Sequence, residues 1–222
     1  MKYLKKFKNA SEKIAFMLSD DYATPNVYYT DGIIEYNFKK YNAGVYIQHN
    51  DGSLYTEEEW VDKGFANDEA NGVAVLDSRA SFVVARANLT SGTWSSDTKN
   101  LVSDLPALPQ KDAVKDYDGY TNTQLILASG DTSGAAYKCA NYTFNNGKKG
   151  YLPSLGEALI LLEYNLAFNT ALKAIGSTAY PFATNTWTST QASATNAHFI
   201  WGDGKASGYK YQDYIARAFT TL

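Results

Sequence analysis

Most of the chain alternates short β-prone runs with turn residues, and helical patterns are few. Asn26-Val-Tyr-Tyr-Thr30 and Ile33-Ile-Glu-Tyr-Asn-Phe38 flank Asp31-Gly32, which predicts a hairpin. Asp-Gly accepts the positive φ values that a tight turn requires. A second hairpin is predicted from Val45–Gln48 and Ser53–Tyr55 around Asp51-Gly52. Gly72-Val-Ala-Val-Leu76 and Ser81-Phe-Val-Val-Ala85 are compact apolar runs of the kind that form buried strands. Asn9 and Glu12 have capping-box spacing ahead of Ile14, Phe16, Met17 and Leu18, so a short helix is expected there. Another short helix is expected from Thr56 through Trp60, with Glu57, Glu58 and Glu59 as its solvated first turn. A third runs from Thr132 or Ser133 through Asn141. The longest follows Pro153, where Ser154 and Glu157 again have capping-box spacing. Leu155, Ala158, Leu159, Leu162, Leu166 and Leu172 give it an apolar face, and it ends near Gly176. Residues 87–122 are polar, with breakers at Pro106, Pro109 and Gly119, and read as loop.

This order of elements divides the chain. Residues 1–41 read as a helix–hairpin appendage too small for a core of its own, suited to oligomerisation or attachment. Residues 42–222 read as one α+β domain. Within it, residues 184–214 change character: Thr, Ser, Ala, Asn, Gly, Asp and Tyr dominate, punctuated by Trp187 and Trp201. Small adaptable polar residues with rigid aromatics are the composition of a recognition surface. The alternative from composition alone is a β-rich terminus with ordinary polar loops.

Charge and cysteine content narrow the chemistry. A net charge of −3 leaves no broad basic field, so nucleic acid is not an expected partner. One cysteine, Cys139, permits no intrachain disulfide and no Cys/His zinc spacing, and it reads as a small core residue. Met1–Lys8 is basic, but Asn9, Ser11, Glu12 and Lys13 interrupt any apolar stretch behind it, so no signal peptide is expected. No window reaches the ~20 apolar residues of a membrane span, so no membrane insertion is expected.

From residue 42 on, the landmarks come in a recognisable order. Gly-Val-Tyr-Ile (44–47), Gly-Val-Ala-Val-Leu (72–76) and Trp-Ser-Ser (94–96) are followed by Ala-Ala-Tyr-Lys-Cys (135–139). Then come Gly-Tyr-Leu-Pro-Ser-Leu-Gly-Glu (150–157), Trp-Thr-Ser-Thr (187–190), Trp-Gly-Asp-Gly (201–204) and Ala-Arg-Ala-Phe (216–219). Together they resemble the branch of the C-type lectin fold that holds the formylglycine-generating enzymes and many bacterial and phage surface proteins. That pattern normally has Arg where Tyr151 stands and Trp where Ala158 stands. Within the branch the chain is most similar to variable proteins of diversity-generating retroelements, of the phage major tropism determinant type. The resemblance implies small antiparallel sheets with two helices, preceded here by the appendage. It also implies binding of a cell-surface protein or glycan, no cofactor, a homotrimer, and a place on a virion tail or cell surface. With no signal peptide, cytoplasmic synthesis and virion assembly are favoured.

In that family a C-terminal tract is rewritten at adenine-rich codons, which cannot yield Trp, Gln, Lys, Glu or Met. By this rule Thr184, Thr186, Ser193, Thr195, His198, Ile200, Gly202, Asp203, Ser207, Tyr209, Tyr211 and Asp213 are the candidate variable, ligand-binding positions. Trp187, Gln191, Trp201, Lys205, Lys210 and Gln212 are fixed scaffold, and Arg217 of the closing motif supports the site. Trp187 and Trp201 are expected in the core, with Thr186, His198, Ile200, Asp203, Tyr209 and Tyr211 on one exposed face.

Catalytic readings find little support in the residues. A formylglycine-generating site would need thiolates that a lone upstream cysteine does not provide. A calcium lectin would need a Glu-Pro-Asn or Gln-Pro-Asp loop, and neither tripeptide occurs, so no metal ligands are assigned. His49 and His198 lie in strand-like runs without a nucleophile motif. No catalytic residue is assigned. Beside the diversified receptor-binding protein stand two alternatives: a non-diversified phage fibre or bacterial adhesin or pilus tip of the same fold, and an enzyme.

Overall fold

A computed structural model describes residues 28–30, 35–37, 41–180, 183–202 and 204–222. The chain divides into two compact units between Asn42 and Ala43. In the first unit, β1 (Tyr28–Thr30) pairs antiparallel with β2 (Glu35–Asn37). The turn residues Asp31 and Gly32 and the helix expected near Asn9–Leu18 lie outside the described residues.

The second unit is α+β. Its first sheet has the order β12-β6-β5-β3-β4, built from β3 (Gly44–His49), β4 (Leu54–Tyr55), β5 (Ala70–Leu76), β6 (Ser81–Val84) and β12 (Phe219–Thr220). Both predicted apolar runs are here, as the central strands. The first and last strands of the unit share this sheet, but β5 and β6 lie between them. The second sheet has the order β10-β9-β8-β11-β7, from β7 (Leu89–Gly92), β8 (Thr186–Gln191), β9 (Asn196–Trp201), β10 (Gly204–Tyr209) and β11 (Tyr214–Ala216). All pairings are antiparallel except β11 with β8, where Ile215 meets Thr186 in parallel.

Six α-helices are present among the described residues, where two were expected for the lectin-type core. They are α1 (Glu57–Lys63), α2 (Gln110–Ala113), α3 (Gly119–Ala128), α4 (Ala135–Asn141), α5 (Leu155–Glu163) and α6 (Asn165–Ala174). The stretch read as loop therefore holds β7, α2 and the start of α3. Its polar residues form structure because neighbours satisfy them: Asn100 Nδ2 donates to Asp97 Oδ2 (2.9 Å) and Asn122 Nδ2 to Asp116 Oδ2 (2.8 Å). The long helix is broken at Tyr164 (φ −93°, ψ 12°) and ends where Gly176 takes φ +65°, a left-handed value that glycine accepts freely. The break rotates Leu166 out to solvent and turns Phe168, Ala171 and Leu172 inward.

The two helices on either side of that break join the sheets. α5 packs on β8 and β9, and α6 on β3 and β5. Leu155, Ala158, Ile160, Leu161, Phe168 and Leu172 thereby enter one core with Ile47, Val73, Val75, Phe82, Val84 and Phe219 of the first sheet and Ile200 of the second. α5 enters at close range: a Cβ on Gly156 would lie 2.3 Å from Asp116 O, so only glycine fits. Its first turn is a buried capping box. Ser154 N donates to Glu157 Oε2 (2.8 Å), and Tyr151 Oη donates to Oε1 (2.9 Å). Burial pushes the Glu157 carboxyl up to about 7, against the lowering effect of these bonds.

The raised value fixes a sign. Below the ordinary value of 4.5 both folded and unfolded chains hold the proton; above it only the folded chain does. The resulting stabilisation is complete below about pH 4.5 and is lost as pH rises through about 7. Glu157→Gln should remove this dependence, so its unfolding free energy relative to the parent should grow across that window, by at most about 3 kcal/mol. Urea unfolding of both proteins at several pH values measures it. Parallel pH profiles would show that Glu157 does not titrate as described.

Candidate recognition surface

The 184–214 tract is not one surface. All six residues of β8 are buried. Its hydroxyls and amide are bonded inside the protein: Thr188 Oγ1 donates to His198 O (2.9 Å) and Thr190 Oγ1 to Asp116 Oδ2 (2.6 Å). Thr190 Oγ1 also accepts from Leu155 N (2.9 Å), tying the strand to the start of α5. Polar residues can occupy a central strand when every group is partnered.

Three expected contact residues are therefore inside. Thr186 bonds Thr184 O (3.1 Å), His198 Nε2 lies 2.8 Å from Leu108 O, and Ile200 sits in the core that contacts α5. Each is 2% exposed, so the expectation of an exposed face carrying them fails. His198 and Ile200 are inside because α5 and the chain around Leu108 cover β9, and Thr186 because it lies on the buried central strand β8. Trp201 is the converse correction. Expected in the core, it is 52% exposed, because it ends β9 at the Gly202 turn, beyond the covering helix. Gly202 is half-buried with φ +56°; Asp203 lies outside the described residues.

Outward-facing residues follow a different rule, strict alternation. Lys205, Ser207, Tyr209, Tyr211 and Asp213 are exposed, while Ala206, Gly208, Lys210, Gln212 and Tyr214 are half-buried or buried. The period of two that defines a strand thus continues past the end of β10 through the next turn. Tyr209 and Tyr211 stack on each other outside, with ring centroids 5.3 Å apart and planes inclined by 12°. Both are more than half exposed, and such a pair presents a rigid apolar face at small entropic cost. Thr195 is exposed and Ser193 half-buried in the turn that precedes β9, and Lys210 N bonds Thr195 O (2.8 Å), which sets that turn beside the tyrosines. Thr184 is exposed apart from β10, and with Asp213, Ser91, Asn185 and Tyr214 it lines a groove of about 490 Å³.

The inward residues hold the strip. Lys210, between the tyrosines, is fully buried and donates to Gln191 Oε1 (2.8 Å) and Asn100 O (2.9 Å). Its ammonium also lies 4.5 Å from the centre of the Trp94 ring. Desolvation pushes Lys210 down to about 8, partly countered by the Asp97 charge. Gln191 in turn accepts from Val102 N (2.9 Å) and donates to Leu105 O (2.8 Å). Trp94 donates from Nε1 to Thr188 O (2.7 Å), and its backbone N donates to Lys210 O (2.9 Å). Under β10, Trp187, Phe199 and Tyr214 form an aromatic cluster with centroids 4.4–6.0 Å apart.

Arg217 supports the base. It is buried, donates from Nε to Ala85 O (2.7 Å), and its guanidinium carbon lies 5.0 Å from the centre of the Tyr180 ring. Desolvation lowers it to about 10. Cys139 is also fully buried, and burial pushes its thiol well above the ordinary value. Among the described residues no group of three or more His, Cys, Asp or Glu is placed to hold a metal ion, and no helix is long and apolar enough to cross a membrane.

Of the residues assigned to the scaffold, Trp187, Gln191, Lys210, Gln212 and Arg217 turn inward, whereas Trp201 and Lys205 turn outward. Exposed Leu101 was missed altogether; it sits next to Asn100, whose carbonyl receives Lys210. Alternation read onward from Lys205 identifies the outward set, but nothing local marks Leu101.

Lys210→Ala should destabilise the second unit by roughly 2–4 kcal/mol, since it removes the buried stem and one of the two donors to Gln191 Oε1. Lys210→Met, which keeps the stem and removes the buried charge, should cost less. Denaturant unfolding of the three proteins gives the order. Equal losses for Met and Ala would place the value of Lys210 in its ammonium alone.

No protein-family model matches the chain, and no curated protein is similar to it. A solved structure is similar: a fimbrial protein from Bacteroides ovatus ATCC 8483, with a TM-score of 0.59 and 15% sequence identity. The alignment covers 89% of this chain and 52% of that one, so the chain spans about half the length of the protein it matches. At this identity the likeness is one of fold.

Proposed function

We propose that the second unit is the ligand-binding head of a surface adhesin, a C-type lectin-like scaffold that presents Lys205, Ser207, Tyr209, Tyr211 and Asp213 as its recognition strip. The stacked, exposed Tyr209–Tyr211 pair on either side of buried Lys210 carries the reading. Rigid exposed tyrosines supply contact area at small entropic cost, and this pair is fixed from beneath before any ligand arrives. The fold shared with a fimbrial protein supports an attachment role. In this reading the protein binds without turnover, without a cofactor and without a metal.

A second, narrower reading is the receptor-binding variable protein of a retroelement, as a homotrimer on a virion tail or cell surface. The sorting of residues between Ala206 and Asp213 favours it: Lys210 and Gln212, which such rewriting cannot create, turn inward, and Ser207, Tyr209, Tyr211 and Asp213, which it can, turn outward. Thr186, His198 and Ile200 run against it, being rewritable yet buried. A near-identical template repeat and a reverse transcriptase beside the gene would decide it.

Binding to intact target cells should persist in EDTA. It should fall when Tyr209 and Tyr211 are both replaced by Ala, with circular dichroism unchanged. Each ring is expected to contribute about 1–2 kcal/mol, so a multivalent form should lose more than a monomer. Abolition by EDTA would point to a calcium lectin. Undiminished binding by the double variant would place the site elsewhere.

A further inference from the structure

β10 is the outer strand of its sheet, and its hydrogen-bonding direction can be derived. In an antiparallel ladder, directly opposed pairs alternate between exchanging backbone bonds and not doing so. Lys210 N donates to Thr195 O, which continues the ladder in register with Gly208↔Ala197, Ala206↔Phe199 and Gly204↔Trp201. The even positions of β10 therefore bond β9. The odd ones, Lys205, Ser207 and Tyr209, direct N–H and C=O away from the sheet. Three contacts agree. Gln110 Nε2 reaches Lys205 O (3.4 Å), Tyr209 O accepts from Gln212 N (2.9 Å), and on β9 the even residue His198 gives its carbonyl to Thr188 of β8.

Among the described residues, the other edges of the two five-stranded sheets are capped or short. Lys138 Nζ caps the β7 edge at Ser91 O (2.7 Å) and Thr90 O (3.4 Å). Tyr151 exchanges both backbone bonds with Phe219 on β12 (2.7 and 2.9 Å). β4 is two residues long and leads directly into α1. Among the described residues of these two sheets, only β10 offers a regular six-residue edge without a bulge. Among the described residues Ser207 N–H and C=O have no partner in the chain.

We infer that the ligand of the recognition strip is an extended polypeptide segment that adds as a further strand along β10. The inference rests on the adhesin reading and names its ligand class. Ser207 offers both groups outward and Lys205 and Tyr209 their N–H, since Gln110 and Gln212 take the carbonyls of those two; only another backbone matches such groups repeating at about 6.8 Å along a strand, at a spacing of about 4.8 Å from it. Lys205, Ser207 and Tyr209, whose backbones would bind that strand, also supply the exposed side chains that would read its sequence. Tyr211 and Asp213 extend the contact beyond the ladder. A sugar ring would use the tyrosines and leave the edge unused.

The test is Ser207→Pro, which removes one outward N–H and no bond to β9; edge strands tolerate proline with this orientation. Short peptides selected from a random displayed library on the parent protein serve as probes. The selected peptides should bind Ser207→Pro about tenfold or more weakly, for the loss of one backbone bond and the steric bulk of the ring. Methylating alternate backbone nitrogens of the peptide should cause a similar loss with the parent protein, a measurement that does not depend on the variant folding. If neither change weakens binding, or if no peptide is selected and a cell-surface polysaccharide binds parent and Ser207→Pro alike, strand addition is wrong. Loss of cell binding in the Tyr209/Tyr211 double variant alongside either result would leave the adhesin reading standing without it.

Discussion

The recognition strip depends on where one ammonium goes. Lys210 lies between two tyrosines in the turn that ends β10, where its side chain is buried and theirs are exposed. Burying the lysine costs desolvation, offset by two carbonyl-type oxygens and the face of Trp94. Those partners come from the 94–102 segment and from β8, so the lysine draws three separated segments to one point. The tyrosines gain their fixed position from this. A loop whose inner residue is anchored spends little entropy when its outer residues bind.

The same arrangement recurs at the base. Arg217 is buried without a carboxylate among its hydrogen-bond partners, held by Ala85 O, an Asn88 contact of 3.4 Å and the rings of Tyr180 and Phe168. Glu157 is buried without a cation and meets only hydroxyl and amide donors. Charges are thus placed singly in polar or aromatic pockets, where each can serve as a directional anchor. Breaking such a site strands the remaining groups, so these residues govern specificity of the fold more than its total stability.

Local patterns made much of the first sheet legible, and less of the second. The apolar runs at 72–76 and 81–85 became central strands, and the capping box at Ser154 opens a helix, because burial and backbone bonding at those positions agree with the residues themselves. β8 shows where this ends. Thr-Trp-Thr-Ser-Thr-Gln reads as half-exposed, yet all of it is buried, since Asp116, Leu155, His198 and Val102 supply partners from distant parts of the chain. Satisfaction of buried polar groups is a tertiary property. For the same reason Thr186 and His198 resemble contact residues in composition and are core residues in fact, whereas Trp201 is the reverse because a helix stops short of it.

An open sheet edge is ordinarily a hazard, because it templates pairing with any exposed strand. In the five-stranded sheets a lysine caps the β7 edge and a tyrosine backbone the β12 edge, so the protein has the means to close this one. Gln110 covers a single carbonyl and goes no further. Lys205 lies on the open strand, where a charge opposes pairing with unselected apolar strands and still admits a partner carrying a carboxylate opposite it. A Cβ on Gly208 would lie 2.7 Å from Gln212 Oε1 and 3.1 Å from the Phe199 ring, so β10 packs closely on the layer beneath it there. An edge that is regular, charged at one end and backed by a rigid aromatic layer suits selective pairing better than it suits either closure or promiscuous aggregation.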